Sequence, residues 1–356
     1  MTEPKRILFI RRDNIGDLVC TTPLFAALRA RYPKAHIALL ANTYCAPVVA
    51  GSPDLDRVYV YAKAKHLPRM RRPGAYWARI QLVRELRAAH FDYVVLAAAS
   101  YYTRGLEFAR WLPGARVVGF ASDNGRRDGI DIALERDREP RHEVEDLFRL
   151  LGPLGVTGSP PATRVTAEAA YSTPVQSQIQ AAFGAIAPLA VHISARHPTN
   201  RWHAEGYEAL IRRLVSEGHK IVLLWSPGET NDPTHPGDDA LAQRITQAVG
   251  NRSLLALPTR DLGTLIAALD ACRGAIMSDG GAMHVAAALQ KPLVCFFGNS
   301  DAKRWHPWQC PHVILQPESR KVGDLPVERV LEAAETLFPR NLETMTPLGR
   351  YKSKDS

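Results

Sequence analysis

Four short segments of the chain carry residue types at spacings that suit chemistry on a sugar or a phosphate. The first is Asp13-Asn14-Ile15-Gly16-Asp17, where a short apolar run ends and a helix-like stretch opens. In that first helical turn Asp17 could cap the helix or complement its dipole. At the mouth of a cleft it could instead take a proton from a hydroxyl nucleophile. The second is Met277-Ser278-Asp279-Gly280-Gly281-Ala282-Met283-His284. Its glycines let backbone approach a ligand closely, and the free N–H groups of a helix start present a positive dipole end to a diphosphate. Asp279 could cap that helix or accept hydrogen bonds from sugar hydroxyls, and His284 is either a core histidine or a phosphate-facing donor. The third segment, His192 to Trp202, offers Ser194, Arg196 and Arg201 to a phosphate, because guanidinium pairs bidentately with phosphate oxygens. The fourth, Phe297 to Trp305, reads as a turn with a basic end, or as a surface turn with a buried Trp.

These segments fall at the ends of apolar runs, so strands must position them. Arg6–Ile10, Ile37–Ala41, Val58–Tyr61, Tyr93–Ala97 and Arg116–Gly119 read as strands, with helices near 18–31, 44–50, 75–89, 104–111 and 142–154. The second half repeats the alternation. Strands are expected at Leu189–Ile193, Lys220–Trp225, Gly274–Met277 and Pro292–Phe297, with helices near 204–217, 238–249, 261–271, 282–289 and 326–338. Strands separated by helices imply parallel βαβ units. The stretch Gly155–Pro174, rich in Gly, Pro, Ser and Thr, marks a boundary between two α/β domains. Such domains bind ligands at the carboxyl ends of their strands, which places the expected site in a cleft between them. Ser226–Asp239 is turn-rich and long for a connection of this kind, a candidate binding loop.

At 356 residues the chain is long enough for two domains of roughly 150 residues each. With 46% apolar and 23% charged residues, collagen-like and globally disordered readings fail. No stretch approaches the roughly 18 apolar residues of a membrane span, and no signal-peptide core precedes the first strand, so a cytoplasmic location is expected. Five cysteines without a CxxC spacing suit buried thiols rather than disulfides or zinc. A net charge of +9 favours acidic partners. Lys63 to Arg87 holds eight basic residues (Lys63, Lys65, Arg69, Arg71, Arg72, Arg79, Arg84 and Arg87) against Glu85 alone. No recognised nucleic-acid motif accompanies that charge, so no nucleic-acid partner is expected. Neither GxGxxG nor a Walker A motif is present, and a nicotinamide reading loses its main support.

Together the segments resemble glycosyltransferase family 9, the ADP-heptose:lipopolysaccharide heptosyltransferases. The opening ILFIRRDNIGDLVCTTPLFAALRARYPKAHIALLA looks like the family's first strand, glycine–aspartate loop and Thr-x-Pro helix, and MSDGGAMHVAAALQKPLVCFFGNSDAKRW resembles its D-(T/G)-G-x-M-H segment with the turn that follows. The resemblance covers roughly residues 5 to 340 in order. It implies an α/β, GT-B fold: two Rossmann-like doubly wound domains with an interdomain cleft. The expected N-terminal acceptor domain spans 1–170 and the C-terminal nucleotide-sugar domain 171–325; a helix at 326–340 packs back on the N-terminal domain, and 341–356 form a flexible tail.

By the same resemblance, Asp17 is the catalytic base of an inverting transfer that needs no metal or other cofactor. Asp279 holds donor sugar hydroxyls, Gly280, Gly281 and Ala282 give backbone N–H to the diphosphate with His284 beside them, Ser194 contacts phosphate, and Glu229 faces the nucleotide ribose. Asn200-Arg201-Trp202-His203 departs from the family's frequent Lys-x-Trp-Pro, so Arg201 or Arg196 is expected to replace the lysine. Gly298-Asn299-Ser300 likewise departs from Gly-Pro-Thr. The implied partners are ADP-heptose, a lipopolysaccharide-type glycolipid acceptor and the cytoplasmic face of the inner membrane. Arg12, Lys63, Lys65, Arg69, Arg71 and Arg72 are the expected acceptor contacts. Another nucleotide sugar on the same fold, and a catalytically silent nucleotide-binding protein, are the alternatives.

Overall fold

The run RILFI at Arg6–Ile10 (β1) has four side chains in a row buried, the mark of a strand covered on both faces, as parallel sheets require. The structure, a computed structural model, describes residues 4–61, 72–137, 139–229, 237–250 and 252–339. By contact the chain divides into two compact units: the residues up to Thr166 together with Lys303–Trp308, and Ala167–Ala302 together with the residues from Gln309 onward. The first unit continues with α1 (Ile15–Val19), α2 (Thr22–Arg31), β2 (His36–Asn42), β3 (Arg57–Tyr61), α3 (Arg72–Ala88), β4 (Tyr93–Leu96), α4 (Thr103–Ala109), β5 (Arg116–Phe120), β6 (Ile132–Leu134) and α5 (Glu143–Phe148). The second holds α6 (Ala169–Phe183), β7 (Leu189–His192), α7 (Ala204–Ser216), β8 (Ile221–Trp225), α8 (Asp239–Val249), β9 (Leu254–Pro258), α9 (Leu262–Asp270), β10 (Gly274–Ser278), α10 (Gly281–Ala288), β11 (Leu293–Phe296), the start of α11 (Ala302–Trp305), β12 (His312–Leu315) and α12 (Val327–Leu337).

Each unit is built on a six-stranded sheet, ordered β3-β2-β1-β4-β5-β6 in the first and β12-β11-β10-β7-β8-β9 in the second. All paired strands run parallel. Read from β9, the second order repeats the first, and both are the doubly wound Rossmann arrangement. The order reverses at β1/β4 in one sheet and at β7/β10 in the other. In open sheets of this kind ligands bind beyond the carboxyl ends of the strands where the order reverses, so each unit has one such place for its loops to gather. No helix among the described residues is long and apolar enough to cross a membrane, and the five cysteines are buried thiols.

Three boundary expectations change. The division falls after Thr166, and α6 runs from Ala169 through Pro174, so the Gly- and Pro-rich stretch is shorter as a connection than its composition implies. The C-terminal helix, expected against the N-terminal domain, is packed within the second unit. Val330, Ala333, Ala334 and Phe338 join the core of the second unit with Leu189, Val294 and Phe296. Gly274 makes room for this, since a Cβ there would stand 2.3 Å from the Phe338 ring. Lastly, Lys303–Trp308, expected in the C-terminal domain, groups with the first unit. There Trp308 stacks on His142 with ring centroids 4.6 Å apart and donates to the Pro161 carbonyl at 3.0 Å. Residues 341–356, expected as a tail, lie outside the described residues.

Candidate active site

At the first reversal, β1 delivers Arg11 and the following loop into a buried cluster of charge. Arg11 is 3% exposed. Its Nη1 donates to the Ala97 carbonyl just past β4, and its Nη2 donates to Asp17 Oδ1 at 2.8 Å and to Glu143 Oε1 at 3.2 Å. Asp13 stands at 4.0 Å from Nε. Burial works against the guanidinium charge, but Asp17, Glu143 and Asp13 outweigh it and hold its pKa above the ordinary value. Asp17 sits in the first turn of α1, where its Oδ2 accepts from both the backbone N–H and the side-chain amide of Asn14, each at 2.9 Å. Asp17 therefore realises the capping role, through the capping box that it forms with Asn14. Three donors fix its orientation, and a side chain 14% exposed keeps an edge in solvent. A carboxylate so placed can accept a proton from a bound hydroxyl.

Glu143, Asp146 and Arg304, which the sequence did not single out as site residues, extend this charged cluster. His142 caps α5 by accepting from the Val144 N–H at 3.1 Å, and Glu143 and Asp146, three apart, share one face of its first turn. Arg304 spans them, with Nη1 donating to Asp146 at 3.0 Å and Nη2 donating to Glu143. The signal in the sequence was faint: a His followed by acidic residues at a helix start, and a basic end to the turn at Phe297–Trp305.

Arg12, expected on the acceptor, is largely committed to the protein. Its Nε donates to the Tyr61 hydroxyl at 2.5 Å, its Nη1 donates to the Arg104 carbonyl, and its guanidinium stacks 4.7 Å from the Tyr61 and Phe108 rings. Lys63, Lys65, Arg69 and Arg71 lie outside the described residues, and Arg72 opens α3. Arg79, Arg84 and Arg87 are exposed on that helix.

The second reversal is organised by a neutral residue. Asn200 is buried; its Nδ2 donates to the Asp279 carbonyl at 3.1 Å and to Asp279 Oδ2 at 3.3 Å, and its Oδ1 accepts from the Gly298 N–H at 3.1 Å. Its backbone carbonyl also accepts from the Ser278 hydroxyl at 2.6 Å. One amide thus ties together the loops after β7, β10 and β11. Gly298 is required for it, because a Cβ there would lie 2.3 Å from the Thr199 carbonyl oxygen.

Beyond Asp279, Gly280 takes φ 156° and ψ −173°, a conformation essentially reserved for glycine, and a Cβ there would meet open space. Helix α10 makes its first internal bonds from the Met283 and His284 N–H to the Gly280 carbonyl, at 3.1 and 3.3 Å. The N–H groups of Gly281 and Ala282 precede them, which leaves two donors at a positive helix end. His284 is buried, in keeping with its core alternative rather than the phosphate-facing one.

The remaining donor-site expectations divide. Ser194 is partly exposed and its Oγ accepts from the Ser226 N–H at 2.8 Å, holding the loop after β8. Arg196 is exposed. Arg201 is half-buried and its Nη1 is paired with the buried Asp238 at 2.7 Å, so part of its charge already serves a partner within the protein. Glu229 is exposed, and its backbone carbonyl accepts from the Gly237 N–H at 2.9 Å, so the ends of the turn-rich loop close on each other.

Comparison with known proteins follows this geometry. The model of glycosyltransferase family 9 (heptosyltransferase) matches residues 79–325. The chain belongs to glycosyltransferase family 9. This family 9 enzyme is 24% identical to lipopolysaccharide heptosyltransferase 3 of Escherichia coli K12 over 92% of its own length and 96% of that protein's. It is 26% identical to lipopolysaccharide heptosyltransferase 2 of the same organism over 83% of each. Among solved structures, a family 9 glycosyltransferase from Veillonella parvula superposes with a TM-score of 0.81 at 22% identity, covering 95% of this chain and 98% of that one. The E. coli ADP-heptose lps heptosyltransferase II does so at 0.74 and 21%, covering 93% and 98%. The fold is GT-B, and the protein is a glycosyltransferase.

Proposed function

We propose that this glycosyltransferase moves a heptose from ADP-heptose to a lipopolysaccharide-core glycolipid, with inversion at the anomeric carbon. The observation that carries the reading is the pairing of unlike reversals within one chain: an oriented carboxylate, Asp17, in the first unit, and a glycine-led helix start beside Asp279 in the second. Asp17 takes the proton of the acceptor hydroxyl as that oxygen bonds to the anomeric carbon. The bond from that carbon to the diphosphate oxygen breaks with its electron pair, and ADP departs. The N–H groups of Gly281 and Ala282 meet the charge that develops on the diphosphate, with Arg196 and Ser194 as further donors. Asp279 holds donor sugar hydroxyls, and Glu229 is the ribose contact.

In this reading the enzyme works in the cytoplasm at the inner-membrane surface, drawn there by the basic run from Lys63 to Arg87. Each basic residue near an anionic surface is worth about 1 kcal/mol, so several together bind reversibly. Transfer proceeds without a metal cofactor, and turnover in excess EDTA is expected to match turnover with added magnesium. A second reading keeps the fold and changes the nucleotide sugar, and Asn200 favours it: where many family members carry a cation, this chain has a neutral amide bound to Asp279 and Gly298. Calorimetry with ADP, UDP, GDP and ADP-heptose on the wild type and Asp279→Ala tests both. Selective ADP binding, tightened by the heptose and weakened by the substitution, is the expected result. Preference for UDP or GDP would overturn the donor and leave the fold.

A further inference from the structure

We propose that Glu143 and Arg304 are positioning residues that set how strongly Asp17 accepts a proton, acting through the single guanidinium of Arg11. The inference rests on the reading of Asp17 as the base. It starts from which oxygen can take the proton. Oδ2 already accepts two hydrogen bonds from Asn14, whereas among the described residues Oδ1 accepts from Arg11 alone and so keeps an open lone pair. The oxygen that receives the proton is thus the one Arg11 holds.

Undivided, the Arg11 charge would oppose protonation of its partner strongly. It is not undivided: the same Nη2 also donates to Glu143, whose side chain is 5% exposed and so little screened by water. Glu143 in turn is held by Arg304, which also binds Asp146. Asp17, Arg11, Glu143, Arg304 and Asp146 form one chain of alternating sign. Burial works against the Arg304 charge, but Glu143 and Asp146 prevail and its pKa is raised. The other groups facing this chain are Asp13 beside Arg11, Arg149 at 3.9 Å from Asp146, Tyr102 and Cys20, both held protonated chiefly by burial, and Cys45, whose thiol donates to the Asp13 carbonyl.

Opposite effects on Asp17 follow from breaking the chain at its two outer links. Glu143→Gln keeps the shape but gives Arg11 wholly to Asp17, which then accepts a proton less readily. Arg304→Gln leaves Glu143 uncompensated, which makes Asp17 accept one more readily. A merely structural role would lower activity in both without opposing signs.

The test uses the full chain labelled with carbon-13 at the aspartate carboxyls, with the Asp17 resonance assigned by its loss in Asp17→Asn. Its titration midpoint is expected about half a pH unit or more lower in Glu143→Gln and higher by a similar amount in Arg304→Gln. The double variant should fall between them, and Arg304→Lys should stay near the wild type. The acid limb of kcat/KM should move with the resonance while the KM for the donor holds. If Glu143→Gln fails to fold, the Arg304→Gln and Arg304→Lys pair decides alone. Shifts that are absent or run in the same direction, with turnover still lost in Asp17→Asn, would overturn the coupling and leave the base. Undiminished turnover in Asp17→Asn would overturn the base, and the proposal with it, whatever the titrations show.

Discussion

The two sheet reversals share one topology and use opposite chemistry. At β1/β4 the loops are joined by a buried guanidinium between carboxylates, Arg11 with Asp17 and Glu143. At β7/β10 they are joined by a neutral amide, Asn200, and by glycines that leave backbone N–H groups uncovered. The difference teaches what each site is suited to hold. Fixed negative charge suits the removal of a proton from a neutral hydroxyl, while a positive helix end with uncovered N–H groups suits an anion. Asp279 is consistent with this division, because Asn200 draws on its carboxylate from within the protein.

The comparison can be broken at either reversal, and the largest expected loss of stability is on the charged side. Arg11→Met leaves Asp17 and Glu143 without their shared cation, and removing one partner of a buried charge pair costs about 3–5 kcal/mol; a chemical denaturation midpoint well below the wild type checks this. An unchanged midpoint would mean that the carboxylates do not depend on Arg11. On the neutral side, Asn200→Ala removes the bracket among three loops and leaves the Gly298 N–H unpaired, for about 1–3 kcal/mol, together with weaker nucleotide binding by calorimetry. Gly280→Ala sharpens the contrast, since open space surrounds the position and only backbone conformation opposes the methyl. A loss of about 1–2 kcal/mol with reduced nucleotide affinity is expected, and full affinity would remove the helix start from the donor site.

The smallest effect at neutral pH belongs to His192, at the end of β7, whose pKa burial holds down to about 4 from 6.5. Its native state binds fewer protons than the unfolded chain, so the stability it carries is whole above pH 6.5 and is lost as pH falls toward about 4. His192→Asn should flatten stability against pH in that window and change little above it, as denaturation curves at several pH values would show.

What the sequence made legible follows from burial. The central strands were plain because RILFI, LAVH and GAIMS are apolar on both faces. The strands β6, β9 and β12 were missed for a different reason: IAL, LLALP and HVIL are apolar but short, three to five residues at sheet edges where most side chains are only half-buried, and such runs do not by themselves tell strand from helix. Asp17, Asp279 and the glycines could be singled out because their types and their place after a strand are local facts. The partnership of Glu143 with Arg304 joins residues 161 positions apart, which no local pattern reveals. Asn200 was read as a missing lysine, because its three bonds to distant loops exist only in the folded chain. The pairing of Arg201 with Asp238, 37 positions on, was hidden for the same reason.

The division of labour between the reversals is tested most directly by measuring donor affinity and turnover together in Asp17→Asn and Asp279→Ala. Asp17→Asn is expected to bind the donor within a few-fold of the wild type while turnover falls by about 10² or more, and Asp279→Ala to lose donor affinity first. Turnover that survives in Asp17→Asn, or donor affinity that falls with it, would contradict the account.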